Sequence, residues 1–147
     1  MKKLRALIVG ECPQLLMAMP SLLHRSGFDI DVISVNPLLK KSRFVTNFEA
    51  ASNHQDMLDR LAAKDASTYD FIIPCDDFML KNILDSNLTS AEKLKLLPVQ
   101  NEKNFEHLFS KIGLSKVLAQ ENVTTPEFTS ACGYEDIEKA AQKLAIL

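Results

Sequence analysis

Short apolar runs alternate with amphipathic stretches along the first two thirds of the chain. The run Leu4–Val9 closes at Gly10 and is typical of a strand that is buried on both faces. Residues 29–35 alternate apolar and polar side chains and are rich in β-branched residues, which predicts a second strand. Residues 69–74 form another short apolar run and predict a third strand.

Helical spacing of apolar residues separates these predicted strands. A helix is expected to begin at Pro13 and to end before Gly27, and Pro20 should kink or restart it because proline cannot donate a backbone hydrogen bond. Residues 54–65 predict a second amphipathic helix, whereas residues 37–53 show no regular pattern and are expected to be irregular.

The remaining chain predicts short helices joined by turns. A helix should follow Asp76 and Asp77, and Thr89 has capping-box spacing to Glu92 for the next one. Further elements are expected as follows: a helix that Asn101 caps, a helix from 114 to near 122, a strand over 127–131 and a last helix from 134 onward.

Alternating strands and helices favour an α/β fold with a parallel sheet flanked by helices. Ligands of such sheets bind beyond the carboxyl ends of the strands. Gly10 and Glu11 follow the first predicted strand, and Asp76 and Asp77 follow the third. These four residues are therefore candidates for one ligand-binding edge, although a carboxylate at a helix start also caps the helix.

Composition narrows the function classes. The chain has 147 residues, with 46% apolar and 24% charged, and a net charge of -2, so a nucleic-acid partner is not expected. No apolar stretch approaches the ~20 residues of a membrane span, so no membrane partner is expected. The three widely spaced cysteines indicate reduced thiols and a cytoplasmic location. Both the G-x-G-x-x-G and P-loop nucleotide motifs are absent.

One segment near the carboxyl end of the chain resembles a signature of ATP-grasp ligases. In the stretch Ser110–Phe128, Lys111 matches the lysine of an Asp-Lys pair that opens a helix in the family, and Ser110 stands for the aspartate. Asn122 stands where the family helix ends at glycine, and Thr124 replaces the first proline of the connector that follows.

Three upstream segments resemble the pre-ATP-grasp domain of carbamoyl-phosphate-synthase-like and amino-acid-ligase-like members, and they occur in the family's order. They are Leu7–Gly10, Ser42–Phe48 and Phe71–Asp77. In the last of them, Cys75 stands for a family threonine, and Phe78 follows in place of a glutamate.

The resemblance implies a Rossmann-like pre-ATP-grasp domain over residues 1–98. A helical linker and the start of a truncated ATP-grasp module would follow over residues 99–147. In the family, ATP phosphorylates a carboxylate, and an amine attacks the acyl phosphate. Gly10, Glu11, Asp76 and Asp77 would then line the substrate cleft, and Lys111 would contact nucleotide phosphate.

The resemblance places ATP, Mg and the catalytic residues of the longer parent outside this chain. We therefore expect a small-molecule carboxylate or amine as the partner, no cofactor in this fragment, and no catalysis by the fragment alone; a homodimer stays open. The alternative is a stand-alone Rossmann-like module that binds a small molecule or a partner. A cysteine enzyme using Cys12 or Cys75 is the least favoured hypothesis, since no histidine lies near either in sequence.

Overall fold

The computed structural model describes residues 3–126, 128–129 and 131–144. Its centre is a four-stranded, all-parallel sheet flanked by helices, a Rossmann-like α/β fold, as the sequence predicted. The spatial order of the strands is β3-β2-β1-β4. Their bounds are Leu4–Val9 for β1, Phe28–Ser34 for β2, Asn47–Ala50 for β3 and Phe71–Pro74 for β4.

Strand β1 lies inside the sheet, and its apolar residues 6–9 suit a strand that is covered on both faces. It pairs with β2 on one side, with Leu7 opposite Asp31, and with β4 on the other side, with Leu7 opposite Ile72. Helices cover both faces of such a sheet, and the four residues 6–9 are completely buried. The apolar run at the start of the chain therefore forms the centre of the core.

Seven α-helices surround or follow the sheet in the described residues. Their bounds are Pro13–Arg25 (α1), His54–Ala62 (α2), Asp77–Asp85 (α3), Ser90–Leu96 (α4), Phe105–Phe109 (α5), Lys111–Gln120 (α6) and Tyr134–Lys143 (α7). Short 3-10 turns occur at Pro37–Lys41, Ala66–Thr68 and Glu102–Asn104.

Local capping signals predicted helix ends correctly at two places. The side chain of Thr89 accepts from the Glu92 amide at 3.3 Å, and the Glu92 carboxylate accepts from the Thr89 amide at 2.8 Å, which completes the predicted capping box. Asn122 follows α6 with φ of 55°, the left-handed conformation that asparagine tolerates at a helix end.

The structure differs from the sequence-based expectations at four places. Residues 37–53 are not irregular, since they contain a 3-10 turn and β3. Two of the four residues of this edge strand are polar, so its sequence alone does not predict a strand, and pairing with β2 holds it in place.

Helix α1 runs through Pro20 as one helix, so the expectation of a restart is wrong. The helix expected after Asn101 begins as the 3-10 turn Glu102–Asn104, which runs directly into α5. The strand predicted over 127–131 includes Glu127 and Ser130, which lie outside the described residues, and the other three positions are in no strand.

The chain divides between Glu102 and Lys103 into two compact units. The first unit contains the sheet and α1–α4, and the second contains α5–α7. Every buried hydrophobic side chain of the described residues lies within residues 6–97, so the core belongs to the first unit. Among the described helices, none combines the length and the apolar character that crossing a membrane requires.

Candidate functional site

The strand order creates a switch point at the carboxyl edge of the sheet. From β1 the chain moves outward to β2 and β3, and then returns to place β4 on the opposite side of β1. The loops that follow β1 and β4 therefore leave in opposite directions, which opens a crevice between them. The prediction that the ends of the first and third predicted strands meet at one edge is confirmed.

Asp76 joins the two sides of this crevice. One oxygen of its carboxylate accepts hydrogen bonds from the Glu11 amide at 2.7 Å and from the Cys12 amide at 3.1 Å. The other oxygen accepts from the Met79 amide at 2.8 Å and caps α3. Three backbone donors thus occupy the carboxylate. The amides before α1 attract negative charge, and the Asp76 carboxylate supplies it from within the protein, in the place that a bound anion could otherwise take.

Gly10 permits the close approach of the two loops. A Cβ atom built on this glycine would lie 2.4 Å from the Cys75 sulfur and 2.5 Å from the Asp76 carboxylate. Both distances are far below van der Waals contact, so any side chain at position 10 would push the loops apart. The role of Gly10 in this structure is to leave room for its neighbours.

The crevice itself is small, and both apolar and acidic residues line it. It has a volume of about 320 Å³ and is lined by Cys12, Leu15, Pro74, Cys75, Asp76, Asp77 and Leu80. Asp77 lies in the first turn of α3 and is exposed. No lysine or arginine lines this crevice in the part of the chain that the structure describes. Its charge therefore favours a cationic group over an anionic one.

Glu11 meets a partner that the sequence analysis missed. The Nε2 atom of His54 lies 2.7 Å from the Glu11 carboxylate, and both side chains are a little over one third exposed. The ring of Phe78 lies against the His54 ring, with a centroid separation of 4.3 Å. Glu11, His54 and Phe78 therefore form a polar and aromatic cluster at the same edge of the sheet.

The position of His54 depends on β3. This histidine is the first residue of α2, which starts soon after β3 ends, and Asn53 caps that helix. Once residues 47–50 are known to form a strand, the loop after it belongs to the carboxyl edge and carries His54 there. The expectation that residues 37–53 are irregular concealed this signal.

The thiol of Cys75 is a poor nucleophile where it lies. Burial, then the charges of Asp76 and Cys12, raise the pKa of Cys75 to about 12. Because the thiolate is the reactive form, this thiol stays protonated at neutral pH. A cysteine enzyme that attacks through Cys75 is therefore disfavoured.

Lys111 lies in the second unit. It is the first residue of α6 and is exposed, and the hydroxyl of Ser110 caps the same helix by accepting from the Gly113 amide at 3.0 Å. A lysine at a helix start faces the positive end of the helix dipole, which costs stability. An anionic ligand at this point would relieve that repulsion.

A larger cavity of about 470 Å³ lies elsewhere on the first unit. It is lined by residues at the end of α2, in the turn before β4 and in α4. Its carboxylates already have partners, since Asp65 accepts from Ser67, and Glu92 belongs to the capping box. Because parallel α/β sheets bind ligands beyond their carboxyl ends, the smaller crevice is the better candidate.

Neither a metal centre nor a known relative identifies this site. Within the described residues, no group of three or more histidine, cysteine, aspartate or glutamate side chains is placed to hold a metal ion. No protein-family model matches the chain, and no curated protein matches it.

Proposed function

We propose that this chain supplies one wall of the substrate cleft in an ATP-dependent carboxylate–amine ligase. The observation that carries the proposal is the contact of Asp76 with the Glu11 and Cys12 amides. It brings together, at the switch point, the two loops whose sequences resemble the family's substrate-cleft loops. The ligase would form an acyl phosphate from ATP and a carboxylate, and the amine would then attack it.

The crevice favours the amine substrate. Asp77 is the exposed carboxylate that lines the crevice, whereas the Asp76 carboxylate is occupied by backbone donors and the nearby Glu11 carboxylate pairs with His54. A protonated amine gains from this charge before it loses its proton and attacks. A carboxylate substrate would meet repulsion here, so we assign it to another part of the ligase.

Lys111 is the proposed contact to nucleotide phosphate. Its ammonium group is exposed at the start of α6, where a phosphate would also face the amides of the first helical turn. The resemblance assigns the carboxylates that hold the magnesium ions of ATP to the other modules of the ligase. No catalytic step is assigned to residues of this chain.

An NMR titration tests the binding part of the proposal. The isotope-labelled chain is titrated with small primary amines and, separately, with small carboxylates. We expect the amines to shift the amide resonances of Gly10, Glu11 and Cys12, and the Asp77→Asn variant to weaken that response. Asp29→Asn is the matched control, because Asp29 lies near the amino end of β2 and forms a surface pair with Lys3. Equal responses to amines and carboxylates would contradict the assignment.

Assays of nucleotide use separate the ligase from a stand-alone binding module. We expect the 147-residue chain to bind ATP weakly or not at all in a calorimetric titration, because the implied ATP clamp lies outside it. Micromolar binding would contradict this. A gene product that contains the implied modules should release ADP only when both an acid and an amine are present. Amine binding without such turnover would favour the stand-alone module.

A further inference from the structure

Two of the three cysteines face the crevice from opposite sides. Cys12 follows β1 and immediately precedes α1, and Cys75 follows β4 directly. Both line the crevice; Cys12 is partly exposed, and Cys75 is buried. The third cysteine, Cys132, is exposed and belongs to the other unit.

The two residues are held close by shared contacts. The Cys75 sulfur lies 3.8 Å from one oxygen of Asp76, and the same oxygen accepts the Cys12 amide at 3.1 Å. Cys75 directly follows Pro74, which pairs with Val9, and Cys12 lies in the loop that continues from Val9. The fold thus brings both cysteines to one crevice and to the same Asp76 oxygen, where a disulfide would link the two loops.

We propose that Cys12 and Cys75 form a reversible intramolecular disulfide when the protein meets a hydroperoxide. The pair is then a redox modification site that links the loop after β1 to the turn after β4. This proposal is independent of which ligand the crevice binds.

The chemistry has two steps. The partly exposed sulfur of Cys12, as the thiolate, attacks one peroxide oxygen; the O–O bond breaks, the leaving oxygen takes up a proton as water, and Cys12 becomes a sulfenic acid. The Cys75 sulfur then attacks the Cys12 sulfur and releases its own proton, and the sulfenic oxygen leaves as a second water. The two sulfurs are oxidised, and one hydrogen peroxide is reduced to two waters.

The environments of the two thiols assign them different parts in these steps. Cys12 can meet the oxidant because it is partly exposed. Burial, together with the charges of Asp76 and Cys12, raises the pKa of Cys75 to about 12, so Cys75 does not react with the peroxide itself, and its place in the same crevice lets it attack the Cys12 sulfenic acid second. Cys75 is therefore the resolving thiol.

The test uses the Cys132→Ser variant, in which only this pair remains. The protein is treated with hydrogen peroxide, quenched with acid, unfolded and alkylated. We expect a monomer that has lost two hydrogen atoms and takes up no alkylating reagent, with Cys12 and Cys75 in one linked peptide. Dithiothreitol should restore both thiols. The thermal midpoint of the oxidised form should be higher by roughly 5–10 °C, because the link closes a long loop.

Single substitutions supply the controls. Cys12→Ser keeps Cys75 and Cys132 and should give no intramolecular disulfide. In the Cys75→Ser, Cys132→Ser variant, Cys12 should stop at the sulfenic acid, which dimedone traps. The proposal is overturned if oxidised Cys132→Ser protein still alkylates at both cysteines, or if the disulfide lowers the thermal midpoint. These two outcomes need only the Cys132→Ser protein, so they decide the question even if the other variants fail to fold.

Discussion

Asp76 shows how one side chain can organise a loop edge at the scale of a single residue. Its carboxylate accepts from amides on both sides of the switch point and caps α3 at the same time. The capping role of an aspartate before a helix was open to prediction. The two longer-range bonds were not, because their donors lie 65 and 64 positions away in sequence.

Replacing Asp76 by alanine should therefore cost more than the loss of an ordinary cap. The Asp76→Ala variant leaves three amides without their acceptor, and we expect a loss of about 2–4 kcal/mol in the free energy of unfolding. Urea denaturation measures it. Asp77→Ala is the matched control, since Asp77 is exposed in the same helix turn and should change stability by less than about 0.5 kcal/mol. Equal effects of the two substitutions would contradict the role given to Asp76.

The lack of space for a side chain at Gly10 leads to a second prediction at this scale. In the Gly10→Ala variant, the new methyl group would collide with Cys75 and Asp76, and we expect about 2–3 kcal/mol of destabilisation. Gly133→Ala is the control, because nothing lies within 4 Å of the position that a Cβ atom would take there. The free energies of unfolding decide the matter, and an unchanged value for Gly10→Ala would show that the loops have room to separate.

At the scale of elements, a polar network joins the strands near their amino ends. Asp31 on β2 is buried and accepts hydrogen bonds from Arg5 on β1 at 2.7 Å, from Asn47 on β3 at 2.7 Å and from the Tyr69 hydroxyl at 3.1 Å. The Arg5 guanidinium also lies over the Tyr69 ring. A one-residue slip of β1 or β3 would take Arg5 or Asn47 away from the buried Asp31 carboxylate, so the network favours the observed register.

The Tyr69 hydroxyl gives this network a pH dependence. Burial and the negative charge of Asp31, to which the hydroxyl donates, raise the pKa of Tyr69 to about 12. The ordinary value is about 10, so the stabilisation is complete below pH ~10 and is lost as the pH rises toward 12. In the Tyr134→Phe variant, Tyr69 is the only tyrosine left, and its phenolate absorbance should titrate with a midpoint near 12.

Two comparisons complete that experiment. The same titration in urea should return the midpoint to about 10, since the unfolded chain keeps no network. Tyr69→Phe should remove the part of the alkaline loss of stability that comes from this hydroxyl. A folded-state midpoint near the ordinary value of about 10 would mean that Tyr69 does not donate to the Asp31 carboxylate.

The whole molecule consists of two units with unequal cores. The buried hydrophobic residues of the described chain all precede Pro98. In the described part of the second unit, Gly113 is the only buried residue. Burial of apolar surface is the main favourable contribution to folding. Most of the stability should therefore belong to the first unit.

A shortened protein tests this distribution. We expect residues 1–102 alone to unfold cooperatively, with a urea midpoint close to that of the corresponding transition in the full chain, because the sheet and its core remain complete. Hydrogen exchange of the full chain should be fastest in α5–α7. Failure of residues 1–102 to fold would show that the second unit contributes essential packing.

The sequence by itself determined the elements whose signals are local. Strand β1, the capping box before α4 and the left-handed end of α6 follow from short-range preferences that act wherever the chain is placed. The strand and helix alternation also determined the parallel sheet and the edge at which Gly10 and Asp76 meet.

Only the tertiary structure decided the features that depend on distant partners. Strand β3 forms because β2 provides it with hydrogen-bonding partners. Its four residues, two polar and two apolar, have no strong preference of their own for a β-strand. The contact of Glu11 with His54 joins positions 43 apart and follows from the placement of β3. Such contacts depend on how the strands and helices pack. Local residue preferences act over only a few positions and therefore cannot predict them.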